Sequence, residues 1–231
     1  MKGFLNRIRN NYKGARLNTN ILVFESDDWG SIRTPSVSAM EAYEQDFVGF
    51  KQSPYNRVDS IESQYDLEVL MSTLDKFRDV EGNSPVFTLN YVMANPDFDR
   101  IREADFSEFY FEPFEETYKS YNDCHNNMFL IREGMRKGLF RPQFHSREHI
   151  NYQRWIKDLQ NDVPDVRKAF DLNMACFNYK FYNSRKVNIY ASYDAETVDE
   201  VEVQKKVLEE GTNMFSDVFK FRSKSFIANN Y

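Results

Sequence analysis

Two short apolar runs in this chain each break into a dense polar cluster, and that pattern constrains the fold more than any other feature. Ile21 to Phe24 runs into Glu25-Ser26-Asp27-Asp28-Trp29-Gly30, and Leu139 to Phe144 runs into His145-Ser146-Arg147-Glu148-His149. A short apolar run that ends in polar groups reads as a buried strand delivering its carboxyl end to a loop. Val86 to Met93 is a third run of this kind, closed by the turn-forming Asn95-Pro96-Asp97.

Helical periodicity fills the intervals. Leu67, Leu70, Met71, Leu74 and Phe77 recur at three- and four-residue steps, predicting a helix over 59–80 with Asp59 or Ser60 as cap and Gly82 as stop. Further helices are predicted over 112–121, over 127–137 before Gly138, over 151–160, and over 197–210 before Gly211. Two short strands are expected around Ala175 and Ile189, and a final strand over 218–227. Strands alternating with helices predict an α/β fold with a mainly parallel sheet, open or closed into a barrel. Ligands in such folds gather at the carboxyl ends of the strands, where both polar clusters fall.

Charge divides the chain unevenly. Thirty basic against 36 acidic side chains leave −6, which argues against a nucleic-acid binder. Residues 1–19 nevertheless hold Lys2, Arg7, Arg9, Lys13 and Arg16 with no acid, and read as a basic N-terminal arm or helix ahead of one domain over 20–231. No apolar stretch is long enough for a signal peptide or a membrane-spanning helix. Two cysteines, Cys124 and Cys176, suggest no disulfide framework, so a reducing, cytoplasmic setting is expected.

The polar clusters carry the chemistry. Histidines four apart share one face of a helical turn, so His145 and His149 can converge on one ion. Two imidazoles and one carboxylate suit Zn²⁺ or another divalent transition metal, with positions left open for water and substrate. Of the Asp27-Asp28 pair, one carboxylate completes that set and the other is left to accept a proton. A non-haem Fe(II) oxygenase also uses two histidines and a carboxylate, but it usually places His-x-Asp together with a distant His, the reverse of the spacing here.

Together the clusters resemble two motifs of the polysaccharide deacetylases, carbohydrate esterase family four, which share the NodB homology domain. The first family motif is typically Thr-Phe-Asp-Asp-Gly at a strand end, and Ser26-Asp27-Asp28 is the cognate stretch here, with departures at Glu25, Ser26 and Trp29. The second, His-Ser/Thr-x-x-His, is matched by His145, Ser146 and His149. The likeness covers roughly residues 20–231 and implies a deformed (β/α) barrel removing acetyl groups from an N-acetylated carbohydrate. It makes Asp27 the general base, and Asp28, His145 and His149 the metal ligands.

The family's third motif, of Arg-Pro-Pro-Tyr type, has two alignments here. Arg222 with Ser223 and Lys224 keeps the arginine that would orient Asp27, whereas Phe226 to Tyr231 keeps only the aromatic ending. The family also has a late histidine that protonates the leaving amine, and the remaining histidine here, His125, lies upstream. The resemblance therefore implies a barrel incomplete at its C-terminal end, its open edge covered by another segment, a partner subunit or a local helix. As the alternative, it admits a deacetylase-like domain that binds metal or glycan without turnover. Trp29 is a candidate sugar platform. Asn90 and Asn95 are candidate substrate hydrogen-bonders, though turn formation is the commoner role of such residues.

Overall fold

A computed structural model of the chain describes residues 21–175 and 189–229. Five strands lie among them: β1 (Phe24–Trp29), β2 (Phe87–Val92), β3 (Ala94–Pro96), β4 (Phe111–Pro113) and β5 (Phe140–Ser146). Nine α-helices accompany them among the described residues: α1 (Val37–Asp46), α2 (Pro54–Val58), α3 (Gln64–Leu74), α4 (Phe98–Glu103), α5 (Phe114–Lys119), α6 (Asn127–Arg136), α7 (Tyr152–Gln160), α8 (Pro164–Asp171) and α9 (Val198–Phe219). The class is mixed α/β. The main sheet is parallel, in the order β1-β2-β5, and β3 pairs antiparallel with β4. Among the described residues this sheet stays open, with one added parallel bridge from Phe144 to Phe226.

Register places the two polar clusters side by side. Phe24 pairs with Phe87 and Phe87 with Phe140, so the three strands start level. Each outer strand then carries one extra residue against β2: between Ser26 and Trp29 in β1, and between Phe144 and Ser146 in β5. Such bulges re-aim side chains near the ends of strands. These two hold Asp27, Asp28 and His145.

Alternation along β2 turns Leu89, Tyr91 and Met93 into a core with Leu67 and Met71 of α3, Ile131 of α6, and Phe215 and Phe219 of α9. A second core joins Tyr43, Ile101, Trp155 and Phe170 from α1, α4, α7 and α8 and contains no residue of the parallel sheet. Helices α1, α4 and α7 follow β1, β3 and β5 in the chain. They build a lobe from the segments that leave the strands' carboxyl ends.

Several expectations are corrected. The helix expected over 59–80 is confined to α3, because Ser63 and Asp66 form a capping box and Asp59 is taken by Arg33 instead. Phe77 lies past its end and is exposed. The run 21–24 is exposed rather than buried: residues 21–23 precede β1, which itself runs through the polar cluster and, among the described residues, has β2 as its one neighbour. Gly211 does not stop the last helix. Helix α9 continues to Phe219 and ends at Lys220 in the left-handed conformation, so the final strand over 218–227 shrinks to the Phe226 bridge. Ala175 and Ile189 lie in no strand, and residues 176–188 and 1–19 lie outside the described residues. No helix among the described residues is long and apolar enough to cross a membrane.

The glycine serves packing. A Cβ on Gly211 would meet Phe144 Cζ at 2.8 Å and Arg147 Cβ at 3.0 Å, so only glycine lets α9 lie this close to the end of β5. Helix propensity favours alanine by roughly 1 kcal/mol, while overpacking a filled core costs about 1–3 kcal/mol. Phe144 is buried and has no room to yield. Gly211→Ala is therefore expected to destabilise the protein by up to about 2 kcal/mol, seen as a lower urea midpoint at unchanged slope.

Candidate metal centre

The bulge in β1 sets Asp28 in the left-handed region at φ 67°, a conformation that aspartate tolerates better than most residues. The backbone two residues on is held hard. Gly30, at φ 77°, has room for no side chain, since a Cβ would meet the Val92 carbonyl oxygen at 2.8 Å. Its N–H donates to both oxygens of the buried Glu62, at 3.2 and 3.0 Å, and its carbonyl accepts from Asn95 Nδ2 at 2.9 Å. Asn95 Oδ1 in turn accepts from the Ile32 N–H, and Tyr91 and Tyr118 donate to Glu62.

The second cluster is anchored with equal care. Strand β5 runs through His145 and Ser146, and the following turn is tied down at the Glu148 carbonyl. That oxygen accepts from Ser146 Oγ, Ser192 Oγ and Asn229 Nδ2. Arg147 turns into ion pairs with Glu148 and Glu210 and lies over the Phe111 ring. His145 and His149 are both buried.

The structure brings three of the proposed residues together. Asp28 Oδ1 lies 3.2 Å from His145 Nε2 and 3.0 Å from His149 Nε2, and all three ligand atoms fall within 4.8 Å of one another. Tetrahedral Zn²⁺ with bonds of about 2.0–2.1 Å sets neighbouring ligands roughly 3.3 Å apart, close to both separations. Yet Asp28 Oδ1 is buried and makes no well-formed hydrogen bond among the described residues.

The tautomer of His145 sharpens this. Its Nδ1 sits 2.7 Å from the Ile227 carbonyl oxygen, which can only accept, so the ring proton is on Nδ1 and the neutral ring presents a lone pair at Nε2. Lone pair and carboxylate oxygen then face each other across 3.2 Å. Only a cation between them, or an added proton, removes that repulsion. Burial works to raise the Asp28 pKa, but contacts with the His145 and His149 rings opposite it outweigh burial and hold it well below the usual carboxylate range. The cluster is built for positive charge and fits a divalent transition metal, with the His145 Nδ1 contact in the place where such ligands usually make their outer hydrogen bond.

The remaining expected residues fall out differently. Asp27 is exposed beside the cluster and accepts from Asn90 Nδ2 at 2.8 Å. Asn90 and Asn95 are thus internal braces of the β1 loop. Arg222 is exposed and forms no ion pair with Asp27, because Phe221 turns inward onto Phe215 and Phe219 and leaves its neighbour outward. The arginine at the acidic pair is Arg33, which no periodicity or motif in the sequence singles out. Its Nη2 lies 3.4 Å from Asp28 Oδ2 and its Nε lies 2.7 Å from Asp59 Oδ2. Trp29 packs on the sheet core near Tyr91. His125 is exposed and lines a cavity of about 290 Å³ with Glu115, Lys119 and Met128. A larger cavity of about 560 Å³ opens beside Arg147, lined by Phe109, Phe111, Tyr152 and Glu210 but by none of the three converging residues.

No protein-family model matches the chain, no curated protein matches it, and no solved structure matches it.

This geometry predicts two outcomes. Purified protein dialysed against Zn²⁺ is expected to retain about one ion per chain, and His145→Ala to retain none, by elemental analysis. Glu62 gives a pH signature. Burial raises its pKa above the ordinary 4.5, and hydrogen bonds from Tyr118 and the Gly30 N–H only partly oppose this. A raised folded-state pKa stabilises the fold below the unfolded value, and that contribution is lost as pH rises through the folded value. Relative to Glu62→Gln, the wild type should therefore lose stability as pH rises above the ordinary 4.5, measured as urea midpoints. Parallel curves for the two proteins would contradict it.

Proposed function

We propose that the chain is a metal-dependent hydrolase that removes acetyl groups from an N-acetylated sugar or polysaccharide, and that its parallel sheet is part of a NodB-type (β/α) barrel. The single observation supporting this reading is the convergence of Asp28 Oδ1, His145 Nε2 and His149 Nε2 at aligned strand ends. The motif likeness of Asp27-Asp28 and His145-Ser146-x-x-His149 adds the reaction class.

In this reading Asp28, His145 and His149 hold Zn²⁺ or a similar divalent ion, which supplies Lewis acidity toward an amide carbonyl and toward water. Asp27 takes the proton from the attacking water, a role commonly worth 10²–10⁴-fold. Its carboxylate stands exposed to incoming substrate while Asn90, fully buried on β2, fixes the Oδ1 atom. The Ile227 carbonyl keeps the His145 proton on Nδ1. The Glu62 and Asn95 clamps hold the backbone that carries Asp28.

A second reading has a specific observation behind it. The chain has three histidines; two belong to the converging cluster, and His125 lines a different cavity. Among the described residues no further imidazole stands beside the cluster to protonate a leaving amine. A deacetylase-like domain that binds metal or glycan without turnover matches that arrangement. Hydrolysis of acetylated chito-oligosaccharides by the Zn²⁺-loaded protein separates the two. Turnover that falls about 10²–10⁴-fold in Asp27→Asn with metal retained supports the hydrolase. Stoichiometric metal with no turnover on amide or ester substrates supports the binding domain.

A further inference from the structure

Resting on the proposed metal site, we infer that Arg33 is a positioning residue that limits Asp28 to one metal-binding oxygen and thereby sets which ions the site prefers. The two carboxylate oxygens of Asp28 have divided surroundings. Oδ1 faces both imidazole Nε2 atoms, at 3.2 and 3.0 Å, whereas Oδ2 faces the Arg33 guanidinium at 3.4 Å. A carboxylate with one oxygen capped by a cationic donor has only the other to give.

Arg33 is itself held from two further directions. Its Nε donates to Asp59 Oδ2 at 2.7 Å, and its guanidinium lies over the Tyr190 ring, 4.8 Å from the centroid. The His149 ring meets the same Tyr190 ring edge-on at 5.4 Å. One packed unit therefore fixes the carboxylate and one of the two imidazoles. Arg33 is buried despite its charge, and its backbone carbonyl accepts from the Ala175 N–H, so the guanidinium has little freedom to withdraw.

The consequence is chemical. Two nitrogens and one oxygen make the three-ligand set that suits Zn²⁺ and Co²⁺ in four-coordinate geometry. Freeing Oδ2 allows both oxygens of Asp28 to bind, which adds a hard ligand and favours ions such as Mn²⁺ that take more oxygen donors. Lysine is a poor substitute, because a single ammonium cannot reproduce the fixed fork that spans Asp28 and Asp59.

Competition titrations with Zn²⁺ and Mn²⁺, and the visible spectrum of the Co²⁺-loaded protein, test this on wild type, Arg33→Gln, Arg33→Lys and Asp59→Asn. Zn²⁺ affinity is expected to fall about 10–100-fold in Arg33→Gln, the usual range for outer-shell changes, while Mn²⁺ affinity holds or rises. The strong Co²⁺ absorption of a four-coordinate site should weaken toward that of higher coordination. Asp59→Asn should shift both readouts in the same direction by less, and Arg33→Lys should recover only part of the loss. A merely structural role for Arg33 lowers all affinities together and leaves the spectrum of the bound fraction unchanged. Folded Arg33→Gln with wild-type Zn²⁺/Mn²⁺ preference and spectrum overturns the assignment, and if that variant does not fold, the same result in Asp59→Asn does so. Wild type that binds none of the three ions overturns the metal site itself, an outcome distinct from either.

Discussion

In-register pairing of three parallel strands is the constraint on which the site depends. Strands that start level and pair evenly would deliver their ends as a flat row, with neighbouring side chains alternating between the two faces. One extra residue in β1 and one in β5, both set against the uninterrupted β2, break that alternation at the same level of the sheet. The bulges bring an acidic side chain and an imidazole toward each other across the central strand. β2 then supplies the braces: Asn90 to Asp27, and Tyr91 to Glu62, which in turn holds Gly30. A central strand without those side chains would leave the bulges unsupported.

The resulting cluster is costly as it stands. A carboxylate oxygen withdrawn from water beside the lone pair of a tautomer-locked imidazole loses solvation, and only a proton or a cation placed between the two offsets that loss. The surrounding protein nevertheless keeps it in place, with a left-handed aspartate, a glycine that tolerates no side chain and a buried glutamate. Strain and desolvation gathered at one point and held by independent contacts mark functional sites more often than structural ones. Charge elsewhere is treated differently. Arg147, two residues from each histidine, is paired with Glu148 and Glu210 and presents no comparable conflict.

Much of this was legible in the sequence. The parallel strands that carry the two polar clusters, the helix around Leu67 to Leu74 and the meeting of the His145–His149 pair with one of the two aspartates follow from periodicity and residue type, while the choice of Asp28 rests on the family resemblance. What escaped had tertiary causes. Gly211 reads as a stop because glycine commonly ends helices, whereas here it admits Phe144. Asp59 reads as a cap, but a buried arginine claims it and the cap passes to Ser63. Arg33 and Glu62 sit in irregular segments with no period to flag them, and their partners lie far along the chain, Tyr190 for Arg33 and Tyr118 for Glu62. Arg222 was assigned by likeness alone, and the inward turn of Phe221 depends on a helix end that the local sequence does not announce.

The segment after α9 touches the cluster in a way that bears on how the molecule assembles. Gln143 Oε1 accepts from Ser223 Oγ, from the Lys224 and Ser225 N–H groups and from Ser225 Oγ. Two residues further along, the Ile227 carbonyl selects the protonated nitrogen of His145 across a separation of 82 residues. Closing loops of that length carries an entropic penalty that local turns and helices do not, so contacts of this kind are late gains in folding. The tautomer of His145 thus depends on the docking of that strap, and any ion that Asp28, His145 and His149 hold would be gripped less tightly in a nascent or nicked polypeptide with every helix formed but the strap undocked.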